Sequence, residues 1–499
     1  MRNITKIFAL LLSVAVLTTA CDGNSNLPEE EKPVTITLTV EPANILFEST
    51  GGTMEVTVFC SADEWDYTDT ISWADITRTE FGLSITAEEN TTEQSRKGEI
   101  VIFSVVGSSR AQKSISVEQV ATGGASSDGT LSFEDEVFAQ MMIEAFDRNA
   151  DGVLSAEEAA AVTDLTLTYD EESTGEVITS LRGIKNFVNL VNLECDGNLL
   201  TELDLSGLEH LEYVDCCYNK ITKLDVSNCT SLKQLYCYMN NISKLDISNC
   251  NSMLLLQGYK NSLTSLDVSG MENLVYFDVR YNQLQNVDFH NCPKLQIAAI
   301  GNNNIASLDL TGLPELYTLG CYANNIVSLD LSALPELTML ECYTNNIAAL
   351  DLTANSKLAT LTCQNNLISE LKLGTHQELV KVDCSNNRLS GKFDMSAYPK
   401  LYNLSCGGNN ITELEVSKNT ALTDLACQNT NISALNTTTL TLLQSLVAND
   451  AKIATMDVSY NTALQTLHLQ GNPLTSLTMA TGQTISDMKL DNYDVINYR

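Results

Sequence analysis

A chain of 499 residues has room for two or three domains. Its 28 Lys+Arg against 63 Asp+Glu leave a formal charge of -35. That argues against nucleic-acid backbones and anionic membrane faces as partners, because both would repel it. The four histidines, His210, His290, His376 and His468, are dispersed. There is no zinc-protease helix motif, nucleophile elbow or phosphate-binding loop, so the chain reads as non-enzymatic.

In residues 1–20, Arg2 and Lys6 precede an apolar run, Ile7 to Leu17, that is too short for an ordinary membrane span. Leu17-Thr18-Thr19-Ala20-Cys21 follows and resembles a bacterial lipobox, with Thr18 where Leu is usual. The resemblance implies a signal peptide, a lipid on Cys21 and an outer-membrane lipoprotein exposed at the cell surface. The alternative is an ordinary cleaved signal with an incidental cysteine. Residues 21–32 are polar and acidic, as a tether would be.

Residues 33–121 alternate apolar and polar positions over 35–40, 54–58, 100–106 and 114–120. Pro42, Gly51-Gly52 and Gly98 interrupt the runs, which predicts an antiparallel β-sandwich. Gly51-Gly52-Thr53, Trp65, Trp73, Arg96-Lys97-Gly98 and the closing 115–119 make the segment resemble the Ig-like BACON domain of Bacteroidota surface proteins. That family's name implies carbohydrate binding, with the tryptophans as stacking surfaces. Core packing by the same residues makes the domain a spacer. Residues 122–131 have linker composition.

Residues 132–161 carry a helix expected from Ser132, with Asp135 as capping-box partner. Phe133, Val137 and Met141 recur along one line of it, and Phe138, Met142 and Phe146 along another. Then come Asp147, Asn149 and Asp151 at loop positions one, three and five, with Gly152 at six. Val153, Ser155 and Glu158 fill positions seven, nine and twelve. This matches the EF-hand pattern, in which oxygens converge on a hard cation and glycine permits the sharp turn. Calcium is therefore the expected cofactor. A single loop, running straight into Val162-x-x-Leu165-x-Leu167, suits a structural staple for a cap, with residues 170–176 inserted in it.

An asparagine returns every 21 residues from Asn198 through Asn219 and Asn240 to Asn387, within a repetitive stretch that spans 162–499. A fixed period of this length predicts a stacked solenoid. The unit beginning Leu190-Val-Asn-Leu193-Glu-Cys195 resembles the 21-residue bacterial leucine-rich repeat, with positions one, four, six, eleven, fourteen and sixteen as core. The asparagines are expected to bond to neighbouring turns. Cys195, Cys216, Cys237, Cys321, Cys342, Cys363 and Cys384 share position six, and Cys406 and Cys427 rejoin it after a one-residue insertion near Gly391. Gly258, Val279 and Ile300 occupy the same position, so these are read as core thiols, neither disulfides nor metal ligands. Asp204, Asp225, Asp246, Asp267, Asp288, Asp309, Asp330 and Asp351 form an acidic column, most with Ser or Thr two residues on. It is expected to cap turn amides, with cation binding as the competing reading. Residues 485–490 look like the closing turn.

Ten tyrosines between 211 and 344 occupy positions expected to face outward: Tyr213, Tyr218, Tyr236, Tyr238, Tyr259, Tyr276, Tyr281, Tyr317, Tyr322 and Tyr343. Later units carry only Tyr402 there. Tyrosine suits sugar rings or a protein partner, although it also forms ladders in any strand. The sequence thus predicts a monomeric surface protein whose solenoid binds an extracellular glycan or protein. The alternative is an adhesive or structural protein making host or cell–cell protein contacts without sugar binding.

Overall fold

A computed structural model describes residues 35–47, 49–62, 64–91, 95–106, 109–120, 131, 133–169 and 177–499. The signal peptide, Cys21 with the acidic tether, residues 122–130 and the 170–176 insertion lie outside the described residues. The chain divides into two compact units, the second containing everything from Glu118 to Arg499.

Eight strands precede residue 120: β1 (Leu38–Glu41), β2 (Asn44–Phe47), β3 (Gly52–Cys60), β4 (Asp66–Asp69), β5 (Ala74–Arg78), β6 (Gly82–Ala87), β7 (Arg96–Val106) and β8 (Ser109–Gln119). They form two four-stranded sheets, ordered β1-β3-β6-β5 and β2-β8-β7-β4. Neighbours run antiparallel, as in β1 with β3 and β4 with β7. Alternate residues, including Leu83, Ile85, Ile100, Ile102, Ile115 and Val117, are fully buried, which accounts for the period-two sequence. Gly98 is required because a Cβ there would fall 2.4 Å from the Ile71 side chain.

Helix α1 (Glu136–Phe146) begins later than the sequence suggests. Its N-cap is Asp135, whose side chain accepts from the Phe138 amide, whereas Ser132 lies outside the described residues. The helix buries Phe138 and Met142 and leaves Met141 37% exposed, so Met141 is not a core residue. Leu131 is not linker but core: it is buried, and its amide donates to the Leu154 carbonyl at 2.9 Å. After the loop, α2 (Ala156–Ala160) opens with a reciprocal capping box between Ser155 and Glu158. Phe138 packs against Phe187 at 6.3 Å, which merges the helices with the solenoid core.

The solenoid's main sheet has 16 parallel strands, starting at Asp164–Thr166 and ending at Asp487–Lys489. Each strand is three residues long, as in Tyr213–Asp215 paired with Gln234–Tyr236 in strict register. Leu211, Val214, Cys216, Ile221, Leu224 and Val226 are wholly buried, confirming the six inward positions. Every cysteine among the described residues is a free thiol and all but Cys60 are buried. Burial holds the Cys321 and Cys427 thiols up at about 12, so neither offers a thiolate at neutral pH.

The asparagines act as expected. Asn219 Nδ2 donates to the Cys195 carbonyl of the preceding turn at 2.9 Å and to its own turn's Cys216 and Cys217 carbonyls at 3.2 and 3.1 Å. Its Oδ1 accepts from the Leu200 amide at 3.0 Å. One side chain thus satisfies backbone groups that a tight corner leaves unpaired. The acidic column closes local turns: Asp309 Oδ1 accepts from both the Thr311 amide and hydroxyl, at 2.9 and 2.7 Å. The extra residue near Gly391 appears as a register shift between Gly391 and Lys392.

Position nineteen is a further core column that the repeat pattern does not announce, because its chemistry varies. Cys229, Cys250 and Cys292 donate their thiols to the position-sixteen carbonyl of the preceding turn, at 3.1 to 3.2 Å. Asn355 takes the same role toward the Leu331 and Leu334 carbonyls at 2.9 and 2.8 Å. In the next turn His376 is buried, and burial holds its pKa below 6.5 against the opposing backbone groups of Asn355, Leu373 and Ser356.

Candidate binding surface

The ten tyrosines do not share one environment. Tyr213, Tyr236 and Tyr276 lie within strands of the main sheet. Tyr218 and Tyr281 do not: they sit at a left-handed corner, with φ of 53° and 56°, and stand out at 53% and 49% exposure. Position eight takes this conformation in turn after turn, held by Gly197, Asn302, Thr344 and Asn365 alike, so it is a corner and not a strand position. Tyr317 precedes its strand and is 37% exposed.

Position seven carries the most organised group. Tyr238 and Tyr259 stack with centroids 4.5 Å apart and planes 8° apart, and Tyr322 and Tyr343 stack at 4.5 Å and 5°. The spacing follows from strand separation, which places in-register side chains about 4.8 Å apart. Tyr218 meets Tyr238 edge-on at 5.5 Å. Between the stacks, Arg280 lies 5.8 Å over Tyr259 and pairs through two nitrogens with buried Asp278, at 2.9 and 2.6 Å. Hydrogen bonding to Asp278 holds the Arg280 pKa above its ordinary value. Gly301 follows, and a Cβ there would lie 2.6 Å from Tyr322 Cζ. Glycine therefore lets Tyr322 lie down on the sheet, which leaves that ring only 8% exposed instead of outward-facing. The nearby Tyr213–Tyr236 pair is tilted at 5.6 Å. Burial, then Asp215 and Glu194, push the Tyr213 hydroxyl up to about 12. Arg280, Asp278 and Gly301 belong to this surface although tyrosine counting missed them; their shared positions with the tyrosines were the available signal.

In the 147–158 loop, Asp147 accepts from the Ala150 and Gly152 amides at 2.7 and 2.9 Å, and Asp151 from the Val153 amide at 3.1 Å. Asn149 Oδ1 accepts from the Asp151 amide at 2.9 Å. Glu158 accepts from the Ser155 amide and hydroxyl and from the Arg148 amide. These bonds, the Ser155 ones foremost, hold its carboxyl at about 2. Among the described residues no group of three His, Cys, Asp or Glu side chains is gathered to hold a metal ion. The carboxylates are instead turned onto loop amides. The donor chemistry still fits a hard cation: ionised oxygens line the loop, and Gly152 has φ of 85° with open space around it. In the first unit Trp65 is half-buried with Arg78 4.0 Å over its ring, so one face is already covered; Trp73 is half-buried too.

A parallel sheet of three-residue strands, an asparagine ladder and a cysteine column define a leucine-rich-repeat solenoid. Among solved structures, the functional domain of InlJ from Listeria monocytogenes, which includes a cysteine ladder, is 31% identical, with a TM-score of 0.61, over 70% of this chain and 80% of that one. YopM, a leucine-rich effector protein from Yersinia pestis, is 22% identical, with a TM-score of 0.50, over 61% of this chain and 83% of its own. The chain belongs to the internalin-type bacterial leucine-rich-repeat proteins. No family model and no curated protein matches it. Among the described residues no helix is long and apolar enough to cross a membrane.

Proposed function

We propose that the chain is a non-enzymatic binding protein whose solenoid engages an extracellular protein through the tyrosine-bearing part of its main sheet. One observation carries this reading over sugar stacking: the rings of Tyr238 with Tyr259, and of Tyr322 with Tyr343, are spent on each other. A sugar ring needs a free aromatic face, whereas a protein partner can use ring edges, hydroxyls and the Arg280 guanidinium. Kinship with InlJ, a bacterial leucine-rich-repeat protein, supports the same reading. Protein and glycan arrays probed with the full chain test it. Saturable binding to a protein is expected, weakened at least about tenfold by combined Tyr218→Ala, Tyr281→Ala and Tyr317→Ala, as for hot-spot side chains. These residues are exposed, so each change shifts stability within about 0.5 kcal/mol. Binding to glycans alone would overturn it.

The same proposal places the protein at the cell surface, anchored through a lipid on Cys21, with residues 33–121 as a BACON-like sandwich that spaces the solenoid from the membrane. Calcium would sit in the loop on Asp147, Asn149, Asp151, the Val153 carbonyl, Ser155 and Glu158, stapling the cap. Millimolar calcium should then raise unfolding free energy by about 1–3 kcal/mol, as a ligand at ten to a hundred times its dissociation constant does. Asp147→Ala should erase that increment in calorimetry, and an unchanged melting temperature in wild type with calcium would refute the site.

A further inference from the structure

Exposed apolar side chains gather at one end of the first unit. Phe81, on the turn between β5 and β6, is 72% exposed, more than any other large hydrophobic side chain described. Phe59, near the end of β3, is 59% exposed, and Val105 and Val106 finish β7 at 56% and 38%. These residues come from both sheets yet share one end. The Val58 amide donates to the Phe81 carbonyl at 2.9 Å, which sets Phe59 beside the turn. The 61–65 loop bridges the sheets there: Ser104 Oγ donates to the Glu64 carbonyl at 2.6 Å, and Arg78 Nη1 to the Trp65 carbonyl at 2.8 Å. Single exposed apolar residues are ordinary on a soluble protein, whereas a group of them on projecting tips marks a contact surface. The opposite end is closed by polar bonds, with Asn90 donating to the Val120 carbonyl at 2.8 Å and Arg96 to Gln119 at 2.9 Å.

The chain enters at the apolar end. The Thr37 amide donates to Ser61 Oγ at 2.8 Å and the Ser61 amide to the Thr37 carbonyl at 2.9 Å, so the first described residues run past the same loop. Resting on the lipid anchor proposed for Cys21, we propose that this end of the sandwich seats on the bilayer that holds the anchor. Phe59, Phe81, Val105 and Val106 enter the boundary between headgroups and acyl chains. Asp22 to Val34 separate Cys21 from Thr35 and span at most about 50 Å. A tether of that reach keeps the tips at high effective concentration near lipid, so a few side chains suffice where free association is weak. Arg78 lies 4.0 Å over Trp65 and Arg110 5.5 Å over Phe103. Such cations reach lipid phosphates while the rings stay in the apolar layer. Glu64, Asp66 and Glu80 share this end, so the fit is to a zwitterionic face and not to an anionic one.

The probe is a phosphatidylcholine vesicle with brominated acyl chains and some nickel-chelating lipid, which captures residues 22–499 through an N-terminal His tag. That chain holds every described residue and neither the leader run nor Cys21. Phe81→Trp is read beside Val327→Trp, placed at a solenoid residue that is 57% exposed. The native Trp65 and Trp73 contribute the same background to both. Bromine quenches only a ring that reaches the acyl layer, so Phe81→Trp should lose emission beyond that background and Val327→Trp should not. Equal quenching at the two positions, or none at position 81, overturns the proposal. If position 81 is unquenched and the untethered chain self-associates in a way that Phe81→Ser abolishes, the end covers a second copy instead. The tag stands in for the lipid, so the vesicle result does not depend on Cys21. Release of Cys21→Ser from membranes in cells tests the anchor separately. If Cys21→Ser stays on membranes while position 81 is still quenched on vesicles, the bilayer contact stands and only the anchor is wrong.

Discussion

Asn303→Leu should lower the unfolding free energy of the solenoid by about 3 kcal/mol or more, because each buried polar group left unpaired costs about 1–3 kcal/mol. Asn303 is 7% exposed and makes four bonds. Its Nδ2 donates to the carbonyls of Val279, Ile300 and Gly301, and its Oδ1 accepts from the Leu284 amide at 3.0 Å. Leucine fits the volume but offers no polar atom, and the corner cannot open to water without breaking the stack. Urea unfolding read beside Asn304→Ala is the check. Asn304 is the exposed neighbour whose amide alone is engaged, so its substitution should stay within about 0.5 kcal/mol. Equal effects for the two would show that the ladder is decoration.

Asp135→Ala should cost about 3 kcal/mol, the scale for removing one partner from a buried charge-assisted network. The Asp135 carboxylate caps α1 at Phe138 and also accepts from the Thr179 amide and hydroxyl, both at 2.7 Å, and from the Ser180 amide. It thereby ties the helical cap to the first solenoid turns. Burial alone would raise its pKa, but the bonds from Phe138, Thr179 and Ser180 outweigh burial and hold it below 3.8. Because the folded value is depressed, the stabilisation is complete above the unfolded value of about 3.9 and is lost as pH falls through the folded value. Wild type should therefore lose part of its advantage over Asp135→Ala below about pH 4. A stability difference that stays constant down to pH 2 would contradict the carboxylate's role.

The solenoid was legible because its contacts repeat: the inward positions, the Asn bonds and the Asp turns each need only a residue and its neighbour one turn away. The same logic failed at position nineteen, where Cys229, Leu313, Asn355 and His376 share a buried column without sharing a side-chain type. Polarity there depends on which carbonyl of the preceding turn is left open. Tyr218 and Tyr281 were legible as outward but not as corner residues, since tyrosine carries no preference for positive φ. The helix start was misplaced because Ser132 and Asp135 both offer a capping oxygen, and only the tie to Thr179 selects Asp135.

Period and composition are enough to make this chain a stack of 21-residue turns with a thiol and asparagine interior, since they dictate burial directly. They also mark the stretch where tyrosines gather. What those tyrosines became depended on packing between turns. Parallel register put Tyr238 on Tyr259 and Tyr322 on Tyr343, and the missing side chain of Gly301 let Tyr322 fold down beside Arg280. A ring's orientation depends on the size of its neighbours across turns, which no single repeat contains.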